Sequence, residues 1–172
     1  MKKTMITLLA SIAFFLVSIT NVLAQSSFEV PANVELNVKE DYTAYEPAII
    51  AATNWLESNP LDRDAAKRKE VSAFVMKWIL GSPTVSVSLT EQLQKLYEKN
   101  LPLLMIYMGS YTRHFLENKN TATAFSGTKA GLIAMMTVYK KGIEIKKNKE
   151  MEKLIRIADE NKLDEYINEK FK

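Results

Sequence analysis

The sequence predicts an all-α protein: a single compact domain of about five to seven helices, with at most one short strand-like segment. Three observations support this class. Most of the five glycines and five prolines stand where helices would begin or end. No internal repeat of roughly 20 to 50 residues is visible, so a single core is expected. Apolar residues also recur at the spacing of one helix face, most clearly at Val71, Phe74, Val75, Trp78 and Ile79.

Residues 1–24 have the composition of an export signal. Lys2 and Lys3 give a positive start, an apolar run covers residues 5–19, and the small residue Ala24 precedes Gln25. The segment resembles the leaders of many exported Gram-negative proteins, and this likeness is confined to the leader. We therefore predict a cleaved signal peptide and an exported protein, either periplasmic or secreted.

A permanent membrane anchor is the alternative for the same segment, because residues 5–24 approach the roughly 20 residues needed to span a bilayer. Thr20 and Asn21 weaken its end, and no Lys or Arg follows before Lys39 to stop transfer. Cleavage is therefore the favoured interpretation. Removing these 24 residues leaves 148 of the 172, which is enough for one domain with a packed core.

The first half of the mature chain predicts an extended arm followed by two helices. Residues 25–40 are polar with alternating apolar positions, which is typical of a mobile arm or one short strand. The helical domain is expected over residues 41–172. The first helix is expected from about Glu46 to Glu57, with Pro47 in its first turn. The second is expected over residues 62–80 and should end before Gly81.

The second half predicts a short connection and four or five further helices. Thr84 to Leu89 alternates like a strand, although it is short enough to be an extended connection. Thr90 and Asn148 are expected to cap helices. The predicted helices run from Thr90 to Lys99, from Pro102 to Glu117, over 121–141, from Asn148 to about Ala158, and from Leu163 to Phe171.

His114 is the only histidine, and it lies on a predicted helix with polar and aromatic neighbours. Tyr107 and Tyr111 share its face, while Arg113 and Glu117 flank it as an anion contact and an orienting carboxylate. One hypothesis is therefore a small exported hydrolase or lyase with His114 as general base. The favoured interpretation is structural: the tyrosine rings pack, and His114 caps the solvated end of the helix.

Six lysines lie within residues 140–153, where three glutamates leave a local excess of positive charge. One hypothesis is that Lys140, Lys141, Lys146 and Lys147 contact a membrane surface or another anionic partner. The favoured alternative is a solvated turn whose lysines offset the negative end of a helix dipole.

Gly127 and Gly131 have the spacing that allows two helices to approach closely. The apolar run around them, from Ala130 to Tyr139, is far too short to span a bilayer. The spacing therefore predicts close packing against a neighbouring helix inside the domain.

Composition excludes several classes of function. The chain has no Cys, which excludes thiol nucleophiles and Cys-ligated metal sites, and a single His does not support a multi-histidine metal site. No cofactor motif is present, and the net charge of +3, which the loss of two leader lysines reduces further, does not indicate a nucleic-acid partner. The sequence predicts a non-catalytic protein that binds an unidentified protein or small ligand in the cell envelope.

Overall fold

The computed structural model describes residues 27–171, and their architecture is all-α. The helices are α1 (Lys39–Ser58), α2 (Ala65–Gly81), α3 (Glu91–Tyr97), α4 (Pro102–Glu117), α5 (Ala124–Lys140), α6 (Lys149–Asp159) and α7 (Leu163–Lys170). No strand occurs in this described range. The predicted single helical domain is confirmed, whereas the predicted signal peptide at residues 1–24 lies outside the described residues. None of the helices in residues 27–171 has both the length and the apolar character needed to cross a membrane.

Helix α4 forms the centre of the domain. It packs most extensively on α5 and also contacts α1, α2 and α3. Leu103, Ile106 and Tyr107 in its first half are at most 1% exposed. The apolar character of that half therefore reflects burial on several sides, and the predicted bounds Pro102–Glu117 are those observed.

Helix α2 contributes the apolar face that the spacing predicted. All five of its predicted core residues are buried, and Trp78 is 0% exposed. The indole Nε1 of Trp78 donates to the backbone oxygen of Tyr42 on α1 at 2.9 Å, so burial leaves its polar atom paired. Phe28, from the segment before α1, stacks on Phe74 with 6.2 Å between ring centroids. Residues 27–38 thus form no strand, and part of the predicted arm packs against the core.

Helix α1 begins at Lys39, seven residues before the predicted start at Glu46. The Asp41 carboxylate accepts hydrogen bonds from the backbone N–H of Val38, at 3.0 Å, and from that of the preceding residue, at 2.7 Å. These two bonds hold the pKa of Asp41 below its usual value. Pro47 therefore lies inside the helix, where it has no N–H to donate to the preceding turn.

Two other helices begin later than predicted because a side chain caps them. The α2 cap is Asp64, which accepts from the backbone N–H of Lys67 at 3.1 Å, rather than Asp62. The α5 cap is Thr123, two residues after the predicted start at 121. The segment Thr84 to Leu89 is an extended connection without strand pairing.

Asn148 joins three helices through a buried side chain that is 2% exposed. Its Oδ1 accepts from the Glu150 backbone N–H at 2.9 Å and caps α6, as predicted. Its Nδ2 donates to the backbone oxygens of Lys95 and Leu96 in α3 at 2.8 and 3.1 Å. Its own backbone N–H donates to the Tyr139 hydroxyl of α5 at 2.9 Å.

Candidate functional site

His114 lies near the carboxyl end of α4 and faces the first turn of α5. Its Nε2 lies 2.8 Å from the Ser126 hydroxyl. The Asn118 amide nitrogen donates to the His114 backbone oxygen at 2.9 Å and faces His114 Nδ1 at 3.4 Å. The Ser126 hydroxyl itself donates to the Thr123 backbone oxygen at 3.1 Å, as part of the α5 cap. A general base that activates Ser126 would need this hydroxyl to donate to His114 Nε2 instead.

Tyr107 and Tyr111 pack their rings against the two glycines of α5. A Cβ at Gly131 would lie 2.6 Å from Tyr107 Cδ2, and one at Gly127 would lie 2.8 Å from Tyr111 Cε2. The predicted close helix packing is therefore confirmed. Burial raises the pKa of both hydroxyls, and the Thr128 side chain partly offsets this rise at Tyr107.

Arg113 points away from His114, towards α1. Its Nη1 lies 2.9 Å from Glu57 Oε2, and the Ser110 hydroxyl donates to the other oxygen of the same carboxylate. Glu117 is exposed. The five predicted residues therefore lie in four different environments. His114 contacts Ser126, the two tyrosines pack on the α5 glycines, Arg113 pairs with Glu57, and Glu117 faces solvent.

In two surface clefts beside α5, lysine or arginine side chains are paired with carboxylates. One, of about 500 Å³, lies between α5 and the α6–α7 region, where ion pairs join Lys129 to Asp164 and Lys140 to Asp159. The other, of about 290 Å³, contains the Arg113–Glu57 pair. In both, each of these lysine or arginine side chains already faces a carboxylate.

A third cleft, of about 260 Å³, lies where the start of α1 meets the end of α4 and the α2–α3 connection. We call it the α1–α4 cleft. Its apolar lining is Val85, Phe115 and Leu116, of which Val85 and Leu116 are only 5% and 7% exposed. Its polar lining is Lys39, Thr43, Glu46, Thr84 and Lys119.

The α1–α4 cleft has one more positive than negative side chain. Lys119 Nζ lies 2.5 Å from Glu46 Oε2, and the Glu46 side chain is 14% exposed. Lys39 is exposed and has no ion pair within residues 27–171. The cleft therefore combines an apolar wall with a lysine that is not neutralised by a neighbouring carboxylate.

Some of the lysines at residues 140–153 already form contacts within the domain. Lys140 pairs with Asp159, and Lys141 donates to the Glu57 backbone oxygen at 2.7 Å. The side chains of Lys146 and Lys147 are exposed.

The part of the chain that the structure describes contains no group of three or more His, Asp or Glu side chains arranged to hold a metal ion.

Sequence reasoning missed the α1–α4 cleft because its lining comes from three separate segments, at residues 39–46, 84–85 and 115–119. No local spacing in the sequence links these three segments.

No protein-family model, curated protein or solved structure matches this chain. The functional inference therefore depends on the geometry and charge of the cleft.

Proposed function

We propose that this chain is an exported, non-catalytic binding protein of the cell envelope, whose ligand is a small carboxylate with a short apolar tail held in the α1–α4 cleft. The observation that carries the proposal is the presence of an unneutralised lysine at the rim of a recess with an apolar wall. The leader at residues 1–24 supports export. The size of the cleft, slightly below the roughly 300 Å³ of small ligand pockets, favours a small molecule.

The chemistry of the lining supports this ligand class. An apolar tail would lie against Val85, Phe115 and Leu116 and would be removed from water there. The carboxylate would accept charge-assisted hydrogen bonds from Lys39 and Lys119 at the rim.

The hydrogen bonds around His114 support binding over catalysis. The Ser126 hydroxyl next to His114 Nε2 already belongs to the α5 cap, where it donates to the Thr123 backbone oxygen at 3.1 Å and accepts from the Thr123 backbone N–H at 2.9 Å. The hydrolase or lyase alternative predicts that His114→Gln lowers turnover by about 10² to 10⁴. We expect His114→Gln to leave ligand binding unchanged, with no turnover of ester, glycan or peptide substrates by either protein. A turnover that this substitution abolishes would replace the binding function with the catalytic one.

The ligand class can be tested with hexanoate, followed by NMR of the Val85 and Leu116 methyl groups. We expect saturable shifts with a Kd on the order of 0.1 to 1 mM, because a ligand of this size has little surface to bury. Lys39→Gln should weaken binding about fivefold to tenfold through loss of a charged hydrogen bond. Lys69→Gln is the matched control, because Lys69 is equally charged, exposed and remote from the cleft, and it should leave the Kd unchanged.

Two neutral or cationic analogues of the same chain length make the proposal falsifiable. Hexanol should bind more weakly than hexanoate, and hexylamine should be the weakest because its charge faces lysines. Equal binding of all three would show that the cleft selects only the apolar tail. Stronger binding of hexylamine would assign the dominant contact to Glu46, and an absence of methyl shifts would remove the α1–α4 cleft as the binding site.

A further inference from the structure

The turn before α4 and the loop after α5 are held side by side at one end of the domain. Asn100 is 4% exposed, and its Nδ2 donates to the Lys146 backbone oxygen at 2.8 Å. The Lys146 backbone N–H donates back to Asn100 Oδ1, also at 2.8 Å. These reciprocal bonds bring Lys99 and Leu101 next to a loop about 45 positions later in the chain. We call the resulting surface, formed by Lys99, Leu101, Ile143, Lys146 and Lys147, the basic end surface.

Two large apolar side chains project from this surface into solvent. Leu101 is 67% exposed and Ile143 is 41% exposed. The residues on either side of Ile143 have left-handed backbone conformations, with φ of 71° at Gly142 and 54° at Glu144. Glu is disfavoured in that region, so the loop keeps a conformation that costs free energy while leaving Ile143 partly uncovered.

Exposed lysines lie within a few positions of the two apolar side chains in the chain. Lys99, Lys146 and Lys147 are exposed, and none of them has an ion pair in the described part of the chain. Lys141 on the same loop is also exposed and donates only to a backbone oxygen. Glu98 and Glu144 oppose these four lysines, which leaves a net positive charge at this end.

We propose that the basic end surface docks on an anionic lipid bilayer. Leu101 and Ile143 enter the interface between headgroups and acyl chains, and the lysines contact the anionic headgroups. A soluble anionic polysaccharide would engage the lysines but would leave Leu101 and Ile143 in water, whereas the bilayer interface takes up both the charged and the aliphatic side chains. This inference goes beyond the proposed small-molecule binding and is independent of it.

The docked orientation would leave the α1–α4 cleft open. Lys141 contacts the backbone of Glu57 in the last turns of α1, whereas Lys39 and Glu46 line the cleft near the start of that helix. Eighteen residues separate Lys39 from Glu57, which is about 27 Å along a helix. The two proposed surfaces therefore lie towards opposite ends of the domain.

Vesicle partitioning tests the docking surface. The protein is the chain lacking residues 1–24, which retains every described helix and cannot bind through its leader. We expect it to partition at least about tenfold more strongly into phosphatidylcholine vesicles containing about 30% phosphatidylglycerol than into pure phosphatidylcholine. Lys146→Gln with Lys147→Gln should weaken partitioning about 25-fold, since each lysine near such a surface contributes roughly fivefold. Leu101→Ala with Ile143→Ala should weaken it about tenfold or more.

Matched controls exist elsewhere on the domain. Leu80 is 78% exposed at the end of α2, near the start of α1 and thus at the opposite end, so Leu80→Ala should have no effect. Lys69→Gln with Lys170→Gln removes the same charge from other exposed positions and should change partitioning less than twofold. Circular dichroism should show that all variants remain folded, because every substituted side chain is at least partly exposed.

Three outcomes would overturn the proposal. One is an absence of partitioning into the anionic vesicles. Another is an equal loss in the control and test variants, which would indicate attraction by overall charge alone. The third is retention of partitioning in the Leu101→Ala, Ile143→Ala protein together with equally strong binding of soluble heparin. That result would identify a polyanion rather than a bilayer as the partner.

Discussion

Gly131→Ala should destabilise the protein, although Ala is normally the better residue in a helix. Replacing Gly by Ala inside a helix usually stabilises by about 0.5 to 1 kcal/mol. Here the new Cβ would lie 2.6 Å from Tyr107 Cδ2 and 3.0 Å from the Tyr107 backbone oxygen. The ring is 1% exposed and enclosed by the core, so it cannot rotate into solvent. Overpacking of this kind costs about 1 to 3 kcal/mol, so the midpoints of the two ranges leave a net loss of about 1 kcal/mol.

Urea unfolding followed by circular dichroism measures this loss as a lower midpoint at unchanged slope. The control is the same substitution in a Tyr107→Leu background, where the aromatic ring is absent. The cost of Gly131→Ala should fall by about 1 kcal/mol in that background, because the two ring contacts that oppose the new methyl group are gone and only the backbone contact remains. The reasoning about helix packing is refuted if Gly131→Ala stabilises the protein, or if its cost is the same in both backgrounds.

Three further predictions follow from the fold and the leader. Trp78→Ala should cost roughly 3 to 5 kcal/mol in unfolding free energy, against about 0.5 or less for Lys69→Ala on the exposed side of α2; equal losses would contradict the core assignment. Burial raises the pKa of Tyr107 in the folded state, so above pH about 10 only the unfolded chain loses this proton and stability should fall as pH rises. Tyr107→Phe should reduce that fall, as measured by urea midpoints at pH about 9 and 11. Intact mass of the exported protein should place its N-terminus at or near Gln25, whereas a retained leader would support the anchor alternative.

Helix boundaries were predictable where a single side chain marks them. Pro102 and Asn148 begin α4 and α6 as expected, because a proline in the first turn and an asparagine cap are strong local signals. The start of α1 was missed because its cap residue is Val38, an apolar side chain. The hydrogen bonds come instead from Asp41, and Pro47 suggested a start at Glu46, which is seven residues too late.

The candidate sites were less predictable, because tertiary packing creates them. Arg113 and His114 are adjacent in sequence, yet one contacts α1 and the other α5. Lys146 and Lys147 of the basic end surface were visible in the sequence as part of the cluster at residues 140–153, whereas Lys99 was not linked to them. The exposed Leu101 was not linked to them either, because the Asn100–Lys146 hydrogen bonds join two segments that are about 45 positions apart in the sequence.

The contacts of Asn148 have a consequence for how the folded state opens. Its one amide group satisfies both the last carbonyls of α3 and the first N–H groups of α6. Breaking it would leave polar groups of both helices unpaired, so α3 and α6 should open together as one cooperative unit. In native-state hydrogen exchange, amides in the two helices should then share one opening free energy and lose protection together in Asn148→Ala. Membrane docking, if it uses Lys99 and Lys146, should slow that shared exchange, because both residues flank the two helices.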